Sequence, residues 1–157
     1  MKVFITGAAG FLGRYIAEEF RRAGHKVSGI DVRPADNSSL RPGEAYRQME
    51  LPDQALFDVL GQIQPDVCVH CAGGASVAAS LENPAADFRS SVVVTEELLS
   101  AINKMSPRCR TIFLSSAAVY GQPSALPITE DAPTSPLSPY GYHKRMCELL
   151  FEQAAVI

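Results

Sequence analysis

Short runs of branched and aromatic apolar residues alternate along this chain with segments whose apolar positions recur every three or four residues. KVFIT (2–6) reads as a strand that stops at Gly7. Residues 11–23 place Leu12, Ile16, Phe20 and Ala23 at helical spacing, and Gly24 ends that helix. KVSGID (26–31) predicts a second strand, residues 33–44 a loop, and AYRQMEL (45–51) a weaker third strand. Asp53 caps a helix through about 62, and DVCVHCA (66–72) is a fourth strand. A helical pattern from about 84 to 105 carries Val92, Leu98, Leu99 and Ile102. RTIFLSS (110–116) is a fifth strand, and residues 121–139, with five prolines, form a loop. The last helix, 139–154, turns Met146, Cys147, Leu150, Phe151 and Ala154 inward. The closing AAVI reads as the opening of a sixth strand.

Strands this continuously apolar are buried on both faces, and strand and helix alternate throughout. The pattern predicts an α/β fold, a doubly wound, mostly parallel sheet with right-handed crossovers. The expectation is one domain over residues 1–157, left incomplete at its C-terminal end. Composition adds little: 46% hydrophobic and 20% charged residues are ordinary for a globular chain. The formal charge of -3 gives no electrostatic basis for binding nucleic acid or an anionic membrane. MKVFIT is too short for a signal peptide and no apolar run reaches bilayer length, so the expected location is the cytoplasm.

Cys68 and Cys71 form C-x-x-C around His70, the pattern of a redox pair or half a metal site. Strand alternation puts Cys68 and His70 on one face and Cys71 on the other. No second pair completes four ligands, so the expectation is small buried hydrophobes and no metal.

TGAAGFLG (6–13) stands where the first strand meets the first helix. Gly7 permits the tight turn, Gly10 lets backbone approach a pyrophosphate, and Gly13 lets the helix pack close to the sheet. The helix N-terminus, at Phe11 and Leu12, presents free N–H groups to the anion. Asp31 ends the second strand, where an acid binds a ribose diol and repels a 2′-phosphate. NAD is therefore expected over NADP, a preference that Arg33, two residues on, can soften.

Ser115 and Ser116 follow the fifth strand, on the side of an open sheet where ligands sit. In SPYGYHK (138–144), Ser138 is a fitting N-cap and Pro139 fits the first helical position. Tyr140 and Lys144 then stand one turn apart on one helix face. A neighbouring ammonium favours phenolate, so this tyrosine can take a proton from a substrate hydroxyl while serine holds the same oxygen.

Taken together, TGAAGFLG, Asp31, HCAGGASV, SSAAVYG, ITEDAP and SPYGYHK resemble the N-terminal part of an extended short-chain dehydrogenase/reductase, of the NAD-dependent nucleotide-sugar epimerase/dehydratase family. The resemblance implies a Rossmann NAD-binding fold, with Ser116 as the active-site hydroxyl, Tyr140 as acid/base and Lys144 as its partner. It implies that Ala72, Gly73 and Gly74 pass the cofactor, that Glu50 and Leu51 lie near its adenine, and that Tyr140 and Lys144 also reach it. The implied substrate is a nucleotide sugar, handled by an epimerase or keto-reductase. Homodimerisation through the helices at 84–105 and 139–154 is implied as well.

Several positions depart from the family pattern. SVVVT (91–95) lacks an asparagine and a glycine, Glu50 replaces an aspartate, and His143 stands where serine is usual. No catalytic role is expected of His143, and His25 reads as a surface residue. The acids that follow the active-site hydroxyl in 4,6-dehydratases are Ala117 and Ala118 here, which cannot transfer protons, so 4,6-dehydration is disfavoured. Family members run to about twice this length, against about 100–200 residues for a typical domain. The C-terminal substrate-binding portion is therefore expected to be absent from this chain. The alternatives are a non-catalytic dinucleotide-binding module or a truncated inactive fragment; a C-x-x-C redox protein would need a titrating thiol pair.

Overall fold

β1 (Lys2–Thr6) lies at the centre of a parallel five-stranded sheet, flanked by β2 (Lys26–Asp31) and β4 (Val67–His70). Beyond these lie β3 (Tyr46–Gln48) and β5 (Arg110–Phe113), so the strand order is β3-β2-β1-β4-β5. A computed structural model describes residues 1–34 and 44–156. Most of the expected 33–44 loop lies outside the described residues. The chain forms two compact units, Met1–Ala72 with Glu97–Leu114, and Gly73–Glu96 with Ser115–Ile157.

The first unit is the sheet and its helices. Val3 pairs with Val27 and Val67, and Ile5 with Gly29 and Val69, so every inner strand is in parallel register. Alternation then sorts the side chains. Val3, Ile5, Val67 and Val69 pack with Ile16, Ala17 and Phe20 of α1 (Phe11–Arg22). Phe4 and Cys68 point the other way, onto Leu56, Val59 and Leu60 of α2 (Ala55–Ile63) and Leu98, Ala101 and Ile102 of α5 (Val94–Met105). Helices thus cover both sheet faces, the arrangement the apolar strands require. Cys68 and Cys71 separate onto opposite faces, as alternation predicts.

Some expected positions differ. Leu12 is exposed, because the stripe of α1 that meets the sheet runs through Gly13, Ile16, Ala17 and Phe20. The N-cap of α2 is Gln54 rather than Asp53, which stands one residue earlier with its carboxylate accepting the Ala55 N–H at 2.8 Å. His25 is half-buried, its ring 5.9 Å from Phe20.

The second unit contains α3 (Val77–Glu82), α4 (Pro84–Phe88), a π-helical turn (Arg89–Val93), a 3₁₀ turn (Ala117–Val119) and α6 (Pro139–Ala154). Ser76 caps α3, and Asn83 caps α4 with Pro84 behind it. The helix expected over 84–105 starts at Pro84 and runs to Met105, with a π-helical turn at Arg89–Val93 within it. Ser90 Oγ donates to the Asp87 carbonyl at 3.2 Å, and Thr95 Oγ1 to the Ser91 carbonyl at 2.7 Å. Such hydroxyl bonds compete with the backbone ladder where the turn widens. On α6, Cys147 is buried but Met146 is exposed, and in place of a strand opening at AAVI, Ala154 ends the helix and Ala155–Val156 form a turn, Ile157 lying outside the described residues. Among the described residues, no helix is long and apolar enough to cross a membrane.

Candidate functional site

Within the first unit, the glycine-rich turn gathers most of the residues expected at a dinucleotide. Gly7 has φ +68°, a left-handed conformation, and a Cβ there would lie 2.8 Å from Ala72 N. The turn off β1 thus touches the exit of β4. Thr6 fixes that exit: its Oγ1 accepts the Ala72 N–H at 3.2 Å and pairs with His70 Nδ1 at 2.6 Å. Gly13 is closed in by the Gly7 carbonyl, so α1 starts directly against the turn. Gly10 precedes α1 with no side-chain cap, and Phe11 and Leu12 open the helix at the surface. N–H groups left without a cap at a helix start are anion ligands.

Asp31 holds the other side of the turn. Its Oδ2 accepts the Ala9 N–H at 2.9 Å, and its Oδ1 accepts Arg33 N at 3.0 Å and Arg33 Nε at 3.3 Å. A carboxylate offers about four acceptor positions, so one remains for a ribose hydroxyl. The Arg33 guanidinium reaches over the turn, 3.4 Å from where a Gly10 Cβ would stand. Tyr46 donates to the Arg33 carbonyl at 2.5 Å, and desolvation, then the Asp31 charge, holds its phenol above the ordinary range. Backbone donors, a fixed acid and a glycine-lined approach fit a dinucleotide. Leu51 packs against the core and Glu50 is exposed.

The second unit holds the serine, tyrosine and lysine. Ser138 Oγ accepts the Gly141 N–H at 3.2 Å and Pro139 takes the first helical position, as the sequence predicts. Tyr140 N–H, another orphan donor of that first turn, is satisfied by the buried Ser80 Oγ at 3.1 Å. Lys144 is buried, with Nζ 5.9 Å from the Tyr140 ring centre. Gly141, which looks out of place in a helix, allows close contact: a Cβ there would lie 2.6 Å from the Ala118 carbonyl. That carbonyl belongs to the 3₁₀ turn capped by Ser116, whose Oγ accepts the Ala118 N–H at 3.2 Å. The Ser116 turn and the Tyr140 turn are therefore neighbours. Ser115, by contrast, donates to Glu148 at 2.5 Å.

The glycines 73 and 74 also belong to this unit. Gly74 N–H donates to Ser91 Oγ at 3.3 Å, and a side chain there would collide with Asp87. Sequence reasoning missed three pairings here: Asp87 with His143, Glu148 with Ser115, and Ser80 with Tyr140. None has a sequence signal, because each joins residues 33 to 60 positions apart.

Cys68, Cys109 and Cys147 show no activated thiol. Burial pushes Cys68 well up, with smaller pushes from Cys109 and Cys71. Burial likewise raises Cys109 to about 11. Among the described residues, no group of three or more His, Cys, Asp or Glu can hold a metal ion.

Residues 3–156 match the family described as "NAD dependent epimerase/dehydratase family". UDP-glucose 4-epimerase of Lactobacillus helveticus is 32% identical over 156 residues, covering 98% of this chain and 47% of that protein. The crystal structure of Brucella ovis UDP-glucose 4-epimerase in complex with NAD superimposes with a TM-score of 0.90 at 33% identity, over 99% of this chain and 48% of that one. The UDP-Glc/GlcNAc 4-epimerase of Campylobacter jejuni gives a TM-score of 0.91 at 25% identity, over 99% of this chain and 49% of that one. The chain spans about half the length of these relatives.

Proposed function

The chain belongs to the NAD-dependent epimerase/dehydratase family, and from that premise we propose that it supplies the NAD site and the Ser116–Tyr140–Lys144 set of a sugar-nucleotide 4-epimerase. We assign residues 1–157 to the dinucleotide-binding domain. The observation that carries the reading is the neighbourhood of three groups. Lys144 stands 5.9 Å from the Tyr140 ring, and Gly141 brings that helix turn against the turn capped by Ser116.

Each group has a task at one substrate oxygen. Tyr140, as phenolate, takes the proton of a sugar hydroxyl and returns it in the reverse step. Lys144 is buried one turn away, with its ammonium 5.9 Å from the Tyr140 ring centre. Ser116 donates a hydrogen bond to the same oxygen, its own lone pair being held by the Ala118 N–H. NAD, when bound, accepts and returns the hydride on the sugar carbon. Gly7, Gly10, Gly13 and the first turn of α1 would hold its pyrophosphate, and Asp31 a ribose hydroxyl. Phe11, Leu12, Arg33, Glu50, Leu51, Ala72, Gly73 and Gly74 complete the proposed contacts. Ala117 and Ala118 provide no further acid or base, which favours epimerisation or keto-reduction over dehydration.

The relatives' names favour a UDP-hexose as substrate. Tyr142, Met146 and Leu149 form an exposed apolar stripe along α6, which supports a homodimer through α6 and the 84–105 helices. All four cysteines are free thiols, which suits a reducing cytoplasm.

The test is interconversion of UDP-glucose and UDP-galactose by the full-length protein with NAD. Turnover in the wild type, lost by about a hundredfold or more in Tyr140→Phe with NAD affinity retained, is the expected result. NAD binding with no turnover of either sugar would favour a binding module instead, and unchanged turnover in Tyr140→Phe would remove the role given to that residue.

A further inference from the structure

His143 stands on α6 three residues after Tyr140 and one before Lys144. Its side chain is turned inward and buried, with Nδ1 2.5 Å from Asp87 Oδ2 on α4. The ring also meets Phe88 edge-on, centroids 5.4 Å apart at 78°. Asp87 is equally buried, and a Cβ at Gly74 would collide with its other oxygen. A carboxylate taken out of water needs a directed partner, so this contact is strongly constrained. It joins α4 to the Tyr140–Lys144 turn of α6 through one bond.

Resting on the function proposed above, we propose that His143, held by Asp87, is a positioning residue that sets the roll of α6 and so the place of the Tyr140 phenol. Other polar contacts of α6 lie at its start, from Ser138 and Ser80, and further along, where Thr95 Oγ1 meets Cys147 Sγ at 3.3 Å and Ser115 donates to Glu148. His143 adds a side-chain anchor between Tyr140 and Lys144. The phenol oxygen of a helical tyrosine lies about 9 Å from the helix axis, so a 10° roll moves it about 1.5 Å. Misplacement by about 1 Å can lower a rate about a hundredfold.

The bonded atom is Nδ1, which the side-chain nitrogen of asparagine reproduces and that of glutamine does not. In the full-length protein with NAD, His143→Asn and Asp87→Asn should keep kcat within about threefold of wild type. His143→Gln and His143→Ala should lose about ten- to a hundredfold in kcat with KM little changed. The apolar pair Asp87→Val with His143→Leu should recover the Tm lost by the single variants but not their kcat. Recovery of kcat together with Tm would overturn the proposal, as would full activity in a folded His143→Ala. Amide exchange at Tyr140 and Gly141 supplies a readout that needs no turnover: faster in His143→Ala, unchanged in His143→Asn. Equal exchange in both overturns the anchor. A wild type without turnover sinks the epimerase reading but leaves this exchange test standing.

Discussion

The same substitution, glycine to alanine inside a helix, should have opposite effects at Gly141 and Gly61. Alanine is favoured over glycine in a helix interior by up to about 1 kcal/mol, less in a first turn. At Gly141 that gain meets backbone. The added Cβ would stand 2.6 Å from the Ala118 carbonyl oxygen and 3.1 Å from Pro136 Cβ. Ordinary carbon–oxygen contacts begin near about 3.3 Å, so α6 or the 3₁₀ turn must retreat by about 0.7 Å. Overpacking of this kind costs about 1–3 kcal/mol. Gly141→Ala should therefore lose about 1–2 kcal/mol, a fall of about 3–6 °C in Tm. At Gly61 on α2 the nearest atom is the terminal methyl of Met105, 2.8 Å away. A methionine end swings aside at small cost, so Gly61→Ala should gain about 0.5 kcal/mol and about 1–2 °C. Differential scanning calorimetry of both variants decides. A Gly141→Ala protein as stable as wild type would refute the reasoning, and so would a Gly61→Ala protein that falls as far.

Three other outcomes are expected. Burial raises the Cys109 thiol from 9.0 to about 11, so the folded protein keeps that proton longer than the unfolded chain. Stability should then fall as pH rises from about 9 to about 11, and below pH 9 native Cys109 should show about a hundredfold less thiolate to iodoacetamide than after denaturation; equal rates by mass spectrometry would contradict this. Asp31→Asn keeps an acceptor for the Ala9 N–H but removes the charge facing a 2′-phosphate. Calorimetric titration should show the NADP-to-NAD affinity ratio rising about tenfold, and an unchanged ratio would leave Asp31 as a structural brace only. Met146→Glu, on the exposed stripe of α6, should convert a sedimenting dimer to monomer; a wild type that is monomeric from the start would dismiss that interface.

Strand and helix order could be read from the sequence because apolar periodicity is a local property. KVFIT and KVSGID became β1 and β2 with the expected bounds, and Ser138 and Pro139 opened α6 as their chemistry dictates. The glycine-rich turn and the Tyr140–Lys144 spacing were equally legible, since each lies within one short segment. Periodicity placed Ile16 and Phe20 of α1 correctly against the sheet but included Leu12, which is exposed. The π-helical turn at Arg89–Val93 also escaped, since hydroxyls that bond back to carbonyls look like ordinary helix residues in a string.

The sequence alone determined the αβ alternation, the turn that suits a phosphate, and the residue types able to exchange a proton. Tertiary structure alone decided who meets whom. It joined Asp31 to Ala9, Gly141 to Ala118, and His143 to Asp87. Such partners are set by crossovers and close packing between distant segments, and no local pattern encodes that distance. His143 shows the difference: in sequence it is a substitution beside a lysine, and in the fold it is a buried partner to an acid 56 residues away.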